Sequence, residues 1–466
     1  MKPIILFSFL LIFTNIIFAQ LSFKNHLEYT RWQEDGRQYW ENWSDVTYQK
    51  KGLQLGIRYE INNPPDPTVF PQPDLLKEYE LTYRYARFRY KRLTAVVGNY
   101  YAMFGRGLLL RTYEDRNLRV DNNIDGIKLQ LKLRKFKLQA LGGKMRDKYN
   151  RRKNSIYGLD AEFEPIKRLR LGGSILRQDE INLGHSQLWA GRVSYSYGWW
   201  DIYTELARPG WNKKLSNYTA FNFFFDKVSA TIEYKDYNKL SFTDSTGTEY
   251  NAAPSLSREH TYTMLNRHPH ALDMNDEKGY QVEVAYFPFD GWEFIFNHSQ
   301  TYNHQQERLF REFYSEAKYV GQDLELHAAA AWNFDLLSNT ENITPLIDGT
   351  YNLSSRDQIH LSLQHQHTIN KLNKGEYDNE LLLVEYSRSP LFSAAVVAEY
   401  TNQDQWRTID MKRNYWIYGN LTFNFWNNQQ LSLLYGSRRE GFICVGGVCR
   451  LEPEFEGIEI KLTNRF

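Results

Sequence analysis

The feature that most constrains this chain is a period of two that continues from residue 21 to the C terminus. Segments of about ten residues alternate apolar and polar side chains, which gives each one dry face and one wet face. Leu53, Leu55, Ile57, Tyr59 and Ile61 alternate with Gln54, Gly56, Arg58 and Glu60. Ile127, Leu129, Leu131 and Leu133 alternate with Lys128, Gln130, Lys132 and Arg134, and Leu324, Leu326, Ala328, Ala330 and Trp332 repeat the pattern around Glu325 and His327. No stretch holds a 3.6-residue period over four turns, so an α/β fold has little support.

The connections between strands alternate between short and long. Short turns fall at Lys50-Lys51, Lys91-Arg92, Arg134-Lys135, Gly198-Trp199 and Asp226-Lys227, and the pattern continues to Trp426–Gln429. Longer loops lie between them, including 63–77, 100–122, 237–277 and 401–413. Short turns on one side and long loops on the other describe an outer-membrane barrel. A β-sandwich of this length would divide into domains of about 100 residues, and no linker interrupts Leu21 to Phe466. The expected fold is therefore all-β: one antiparallel transmembrane barrel of about 24 strands (22–26) over residues 20–466. An even strand number lets the first and last strands pair and leaves no exposed edge.

The one long apolar run, Met1 to Ala19 behind Lys2, reads as a signal peptide cut after Ala19, so export is expected. Mean hydropathy of −0.61 excludes a helical membrane protein, and 16% aromatic residues supply what two interfacial girdles require. At the other end Ile458, Ile460, Leu462 and Phe466 share a face. A terminal aromatic on an alternating strand resembles the insertion signal read by the barrel assembly machinery. Twenty-four tilted strands give a diameter on the order of 45–50 Å. A hole that wide must be closed, yet the first strand starts at the supposed cleavage site and leaves no plug ahead of it, against a TonB-dependent receptor.

The segment 98–121, GNYYAMFGRGLLLRTYEDRNLRVD, is the candidate closure. Gly105 and Gly107 break the period, and Leu108-Leu109-Leu110 would be costly on an exposed loop. Arg106, Arg111, Glu114, Asp115, Arg116, Arg119 and Asp121 then form the expected constriction, the arginines attracting solute and the acids fixing them. The segment 237–277 is expected as a long extracellular loop and a second candidate for narrowing the pore. Charge is uneven: Arg84 to Arg170 holds 23 Lys plus Arg against 8 Asp plus Glu, a net of +15. Arg84, Arg87, Arg89, Lys128, Lys132 and Arg134 are expected to form a basic lumen wall that steers anions. Arg146, Lys148, Arg151, Arg152 and Lys153 read equally well as an outer-loop patch for lipopolysaccharide phosphate.

Cys444 and Cys449 flank Val445-Gly446-Gly447-Val448, a two-residue hairpin that sets them opposite each other, so a disulfide is expected. His268 with His270, and His365 with His367, are too few ligands for a metal site. No nucleophile motif is present, so neither enzyme activity nor a cofactor is expected.

Three segments resemble an uncharacterised family of Bacteroidota outer-membrane barrels: GNYYAMFGRGLLLRTYEDR, LNRHPHALDMNDEKGYQVE at 265–283, and ICVGGVCRLEPEFEGIEIKLTNRF. The resemblance implies the barrel, the Cys444–Cys449 hairpin and an outer-membrane address, and it implies no activity. The leading expectation is a porin-like channel or transporter for small polar or anionic solutes. The alternative is a non-conducting structural or docking barrel of a cell-surface complex. Expected partners are outer-membrane lipid and lipopolysaccharide, the barrel assembly machinery and, for a docking barrel, another envelope protein. Nucleic acid is not expected.

Overall fold

The computed structural model describes residues 21–466 except 71, 181–183, 211–213, 269, 337, 404–412, 427 and 446–447. The proposed signal peptide, 1–19, lies outside the described residues. The described residues form a 24-stranded sheet in which each strand pairs antiparallel with its sequence neighbours. It runs from Leu21–Trp32 to Phe455–Arg465, and these two strands pair with each other over Lys24↔Arg465 to Trp32↔Gly457. The barrel is closed, so no backbone edge faces lipid. Phe466 completes the seam: its N–H donates to the Phe23 carbonyl at 2.8 Å and its carbonyl accepts from the Phe23 N–H at 3.0 Å.

The alternation sets which face is which. Leu53, Leu55, Ile57 and Tyr59, Ile127 and Leu129, and Leu361 and Leu363 are exposed on the outer face as the lipid-facing band. Residues of the opposite parity face the lumen. Their burial rises along each strand: on Asp357–Asn370, Gln358 is exposed and His360 half-buried, whereas Ser362, Gln364, Gln366 and Thr368 are buried. Something fills the lumen at the far end of that strand. That end carries the long loops; the near end carries connections of two to five residues, such as 51–52 and 164–168. The expected alternation of lengths needs one correction, because 33–37, 303–307, 336–339 and 371–375 on the loop end are as short as the turns.

The parity assignment predicts an asymmetry. Leu129→Arg puts a cation on the lipid face and should cost about 2–4 kcal/mol near the bilayer midplane, while Gln130→Arg, one residue along and inward, should cost little. Urea titration of the refolded barrel in lipid vesicles checks this, and equal costs would contradict the assigned faces.

Candidate functional site

The filling comes from two loops, 101–123 and 239–275, which turn back into the barrel. In the first, Phe104 and Leu108, Leu109 and Leu110 are fully buried. They pack on Val96, Leu141, Ile156, Leu176, Leu188, Ala207 and Tyr218, inner-face residues of strands between Leu93 and Phe224. Burying each leucine is worth about 1.5–3 kcal/mol, which explains why the run leaves the surface. The second loop adds Leu240, Phe242, Tyr250, Ala253, Leu256 and Met274 to the same cluster. Of the two expectations for 237–277, the structure matches the narrowing of the pore: the loop joins the strands at the long-loop end, and its apolar side chains carry it into the lumen.

Backbone and amide bonds stitch the two loops into one stopper. Arg111 N–H donates to the Tyr250 carbonyl at 2.9 Å and Ala252 N–H to the Gly107 carbonyl at 3.2 Å. Asn251 Nδ2 donates to the Leu108 carbonyl at 2.8 Å, and Asn122 Nδ2 to the Glu249 carbonyl at 2.7 Å. The second loop then crosses to the far wall. Met264 N–H donates to Gln364 Oε1 and Gln366 Nε2 to the Met264 carbonyl, both at 2.9 Å. His260 Nε2 lies 3.0 Å from Glu312, and Arg267 pairs with Glu399. The hairpin Gly441–Val445/Val448–Glu452 and the residue before it touch both loops: Arg450 Nη1 donates to the Asn117 carbonyl at 3.2 Å, and Arg267 Nη1 to the Glu440 carbonyl at 2.5 Å. Its register sets Cys444 opposite Cys449, but the two side chains lie outside those described.

Against the strands Leu21–Trp32, Gln38–Lys50 and Leu53–Asn63 the stopper makes a different seam, built of charge. Glu28, Glu41, Asp45 and Glu60 point inward there. Arg116 Nη2 is 2.9 Å from Glu60, and Arg119 Nη2 is 2.6 Å from Glu41 and 3.2 Å from Glu28. Both guanidiniums lie over the Trp43 ring, 4.6 and 5.5 Å from its centre. Arg58 bridges wall to stopper, 2.7 Å from Asp45 and 2.9 Å from Glu114. Arg146, from the loop 146–154, is buried between Asp121 and Glu60, the latter at 3.3 Å. A cavity of about 50 Å³ beside these groups is lined by Glu41, Glu60, Arg116, Arg119, Asp121 and Arg146.

The seven expected constriction residues thus all lie on the stopper, but not as one ring. Glu114, Arg116, Arg119 and Asp121 form the charged seam, and Asp115 Oδ1 accepts the Leu118 N–H at 3.0 Å within the loop. Arg111 stacks on Tyr113, its guanidinium 5.3 Å from the ring centre. Arg106 alone points the other way, toward the turn end, over the Tyr203 ring at 5.1 Å. The expected basic wall is corrected at two positions. Arg84 stands opposite Ile57 on the outer face, 3.9 Å from Asp125, because it has the opposite parity to Arg87 and Arg89. Arg134 sits in the turn 133–135. Lys128 does face inward but donates to the Tyr101 carbonyl at 2.6 Å, holding the stopper. Of the outer-loop patch, Arg146 belongs to the charged seam and Arg151 pairs with Asp147 at 2.9 Å.

Two features of the site were missed. The inward carboxylates of the first three strands carry no local motif, because their partners lie 56 residues or more away in the case of Glu60 with Arg116 and Arg119 with Glu28. The apolar lining left a faint trace: Val96-Val97, Ala140-Leu141 and Ile175-Leu176 put apolar side chains on both faces, where a water-filled wall would alternate.

A family model matches residues 19–466, nearly the whole chain. The chain belongs to the family of unknown function DUF6029. No curated protein matches this DUF6029 chain. Among solved structures it is similar to a chain of the E. coli P pilus tip assembly intermediate PapC-PapD-PapK-PapG. The two are 9% identical with a TM-score of 0.56, covering 96% of this chain and 60% of that one. It is also similar to the P pilus usher (PapC) translocation pore, at 9% identity and TM-score 0.47, covering 96% and 99%. A third is the copper transporter OprC, at 8% and 0.46, covering 96% and 80%. At such identities the likeness is one of fold alone. The DUF6029 chain spans 60% of the length of the first of these chains. Its closed 24-strand barrel places it in the bacterial outer membrane.

Two outcomes follow for the charged seam. Removing one partner of a buried pair costs about 3–5 kcal/mol, so Arg146→Met should free the stopper's edge while the barrel stays folded. A spin label at Asn117→Cys, in a Cys444→Ser/Cys449→Ser background, should be immobile in the parent and mobile in the variant. Burial alone would raise the Asp121 carboxyl, but Arg146 and Arg116 overcome it and hold the group below its ordinary range. A lowered carboxylate contributes fully above its ordinary pKa of about 3.9 and loses the contribution as pH falls through the lower value. The same label should therefore loosen only below about pH 4, and a line shape unchanged at pH 3 in a folded barrel would contradict the pairing.

Proposed function

We propose that this protein is a stoppered outer-membrane channel for small polar solutes, anionic ones in particular, which opens where the stopper meets the first three strands. One observation carries the reading: the stopper is bound to the wall in two chemically different ways. On strands between Leu93 and Phe224 it is held chiefly by apolar packing, which no change of charge releases, with Lys128 and Glu205 each adding one hydrogen bond to its backbone. On strands between Leu21 and Asn63 it is held by ion pairs, which protonation, ionic strength or a competing ligand can break. The apolar side serves as the hinge and the charged side as the opening. Partial displacement would open a polar path with the wall carboxylates and Arg58 on one side and, on the other, Arg116 and Arg119 of the stopper, whose guanidiniums, released from Glu60, Glu41 and Glu28, would attract anions.

The second reading, a non-conducting docking barrel of a cell-surface complex, is favoured by how completely the loop end is filled: both loops and the 441–452 hairpin meet there. On either reading, contact with lipopolysaccharide, insertion by the barrel assembly machinery and a Cys444–Cys449 cross-link stabilising that hairpin are part of the proposal. No catalytic role is proposed.

Planar-bilayer recording separates the two. The intact protein should show rare or small openings, Glu60→Gln more frequent ones, and deletion of 102–118 large steady currents. Reversal potentials across a salt gradient should report anion preference. A verified folded barrel that stays silent after the deletion would overturn the channel in favour of docking.

A further inference from the structure

Arg106 is not explained by the seam. It stands at the tip of a turn whose two glycines are both required. Gly105 has φ +53° and a Cβ there would lie 2.4 Å from the Glu205 carboxylate; Gly107 has φ +94° and a Cβ would lie 2.6 Å from the Ala252 carbonyl. Glu205, fully buried behind the tip, accepts the Arg106 backbone N–H at 2.8 Å and the Tyr203 hydroxyl at 2.5 Å. The backbone is thus fixed while the side chain is presented to the lumen on the turn side of the stopper.

The space it enters is a cavity of about 290 Å³, lined also by Arg170, Arg192, Ser194, Ser196, Glu162 and Asp201. Of the acids there, two are paired with cations and the third is held by an amide. Glu162 lies 3.1 Å from both Arg192 and Lys137, Asp160 behind it lies 2.8 Å from Arg192, and Asp201 accepts from Asn222 Nδ2 at 2.9 Å. Arg106 and Arg170 are different: both are exposed, and neither has a carboxylate within ion-pair distance among the described residues. Two guanidiniums with no carboxylate partner, beside two serine hydroxyls lining one cavity, offer fork-shaped donors for an oxyanion.

We propose that the underside of the stopper is a binding site for a small dianion, a dicarboxylate or a phosphate, held by Arg106 and Arg170 with Ser194 and Ser196 donating. It lies on the turn end, the periplasmic side in barrels of this layout. The ligand reaches it without the stopper moving. Its use by a transported solute rests on the channel reading, but the site itself does not.

Arginine footprinting on the folded full-length protein tests it without any current being measured. Phenylglyoxal modification of Arg106 and Arg170 is followed by peptide mass spectrometry with succinate, with inorganic phosphate, or with sodium chloride at matched ionic strength. Arg356, exposed in a turn, serves as the reference. Succinate or phosphate should slow modification at both positions at least threefold while leaving Arg356 unchanged. Protection by succinate alone assigns a carboxylate ligand, and protection by phosphate alone a phosphate ester. Arg170→Gln should abolish protection at Arg106, and Arg106→Gln, which keeps the backbone bond to Glu205, should abolish it at Arg170. Equal protection by chloride, or protection at Arg106 that survives Arg170→Gln, would overturn the site. A silent bilayer with intact protection would overturn the channel and leave the site standing.

Discussion

The interior of this protein is organised around the buried charge cluster of Glu60, Asp121 and Arg146, with Arg116, Arg119, Glu28 and Glu41 around it. Apolar packing on the strands from Leu93 to Phe224, about a third of the circumference, would leave the stopper's position along that wall loosely set, because such packing has no direction. The ion pairs supply direction. Each guanidinium must meet its own carboxylate, and any displacement leaves charge buried and unpaired, at a cost of several kcal/mol.

That cluster also accounts for the chain's uneven charge. The excess of Lys and Arg between Arg84 and Arg170 does not all become a cationic wall open to solute; three of its arginines, Arg116, Arg119 and Arg146, cross the lumen to the acidic first three strands. Such cancellation is what a wide barrel needs if its closure is to be tight and still reversible. A wholly apolar stopper would never let go, and one held by solvent-exposed pairs would be worth little. Burying the pairs makes the loss of either partner costly, and a small polar cavity lies beside them.

The barrel was legible in the sequence because a period of two is a local property: Leu53 to Ile61 displays its two faces with no knowledge of any other strand. The inward course of 101–123 was nearly as plain, since three consecutive leucines between charged residues cannot rest on a wet surface. Arg84 and Arg134 show where local reading fails. Parity along one strand separates Arg84 from Arg87, and the strand Ile124–Lys132 ends before Arg134; neither fact follows from the charge of the residue. The 239–275 loop was legible only as a second candidate for narrowing the pore, because its apolar residues are scattered among polar ones and become one face only when folded against the first loop.

The sequence by itself determined the strand periodicity, the alternation of turns and loops, and hence a closed barrel too wide to stand empty, because each of these is written in neighbouring residues. Only the tertiary structure decided which wall meets which loop. Arg119 and Glu28 are 91 positions apart and Arg267 and Glu399 are 132 apart, yet each pair is in contact. The choice among so many possible partners is made by curvature of the closed sheet and by the cost of leaving any buried charge unpaired, neither of which a linear chain displays.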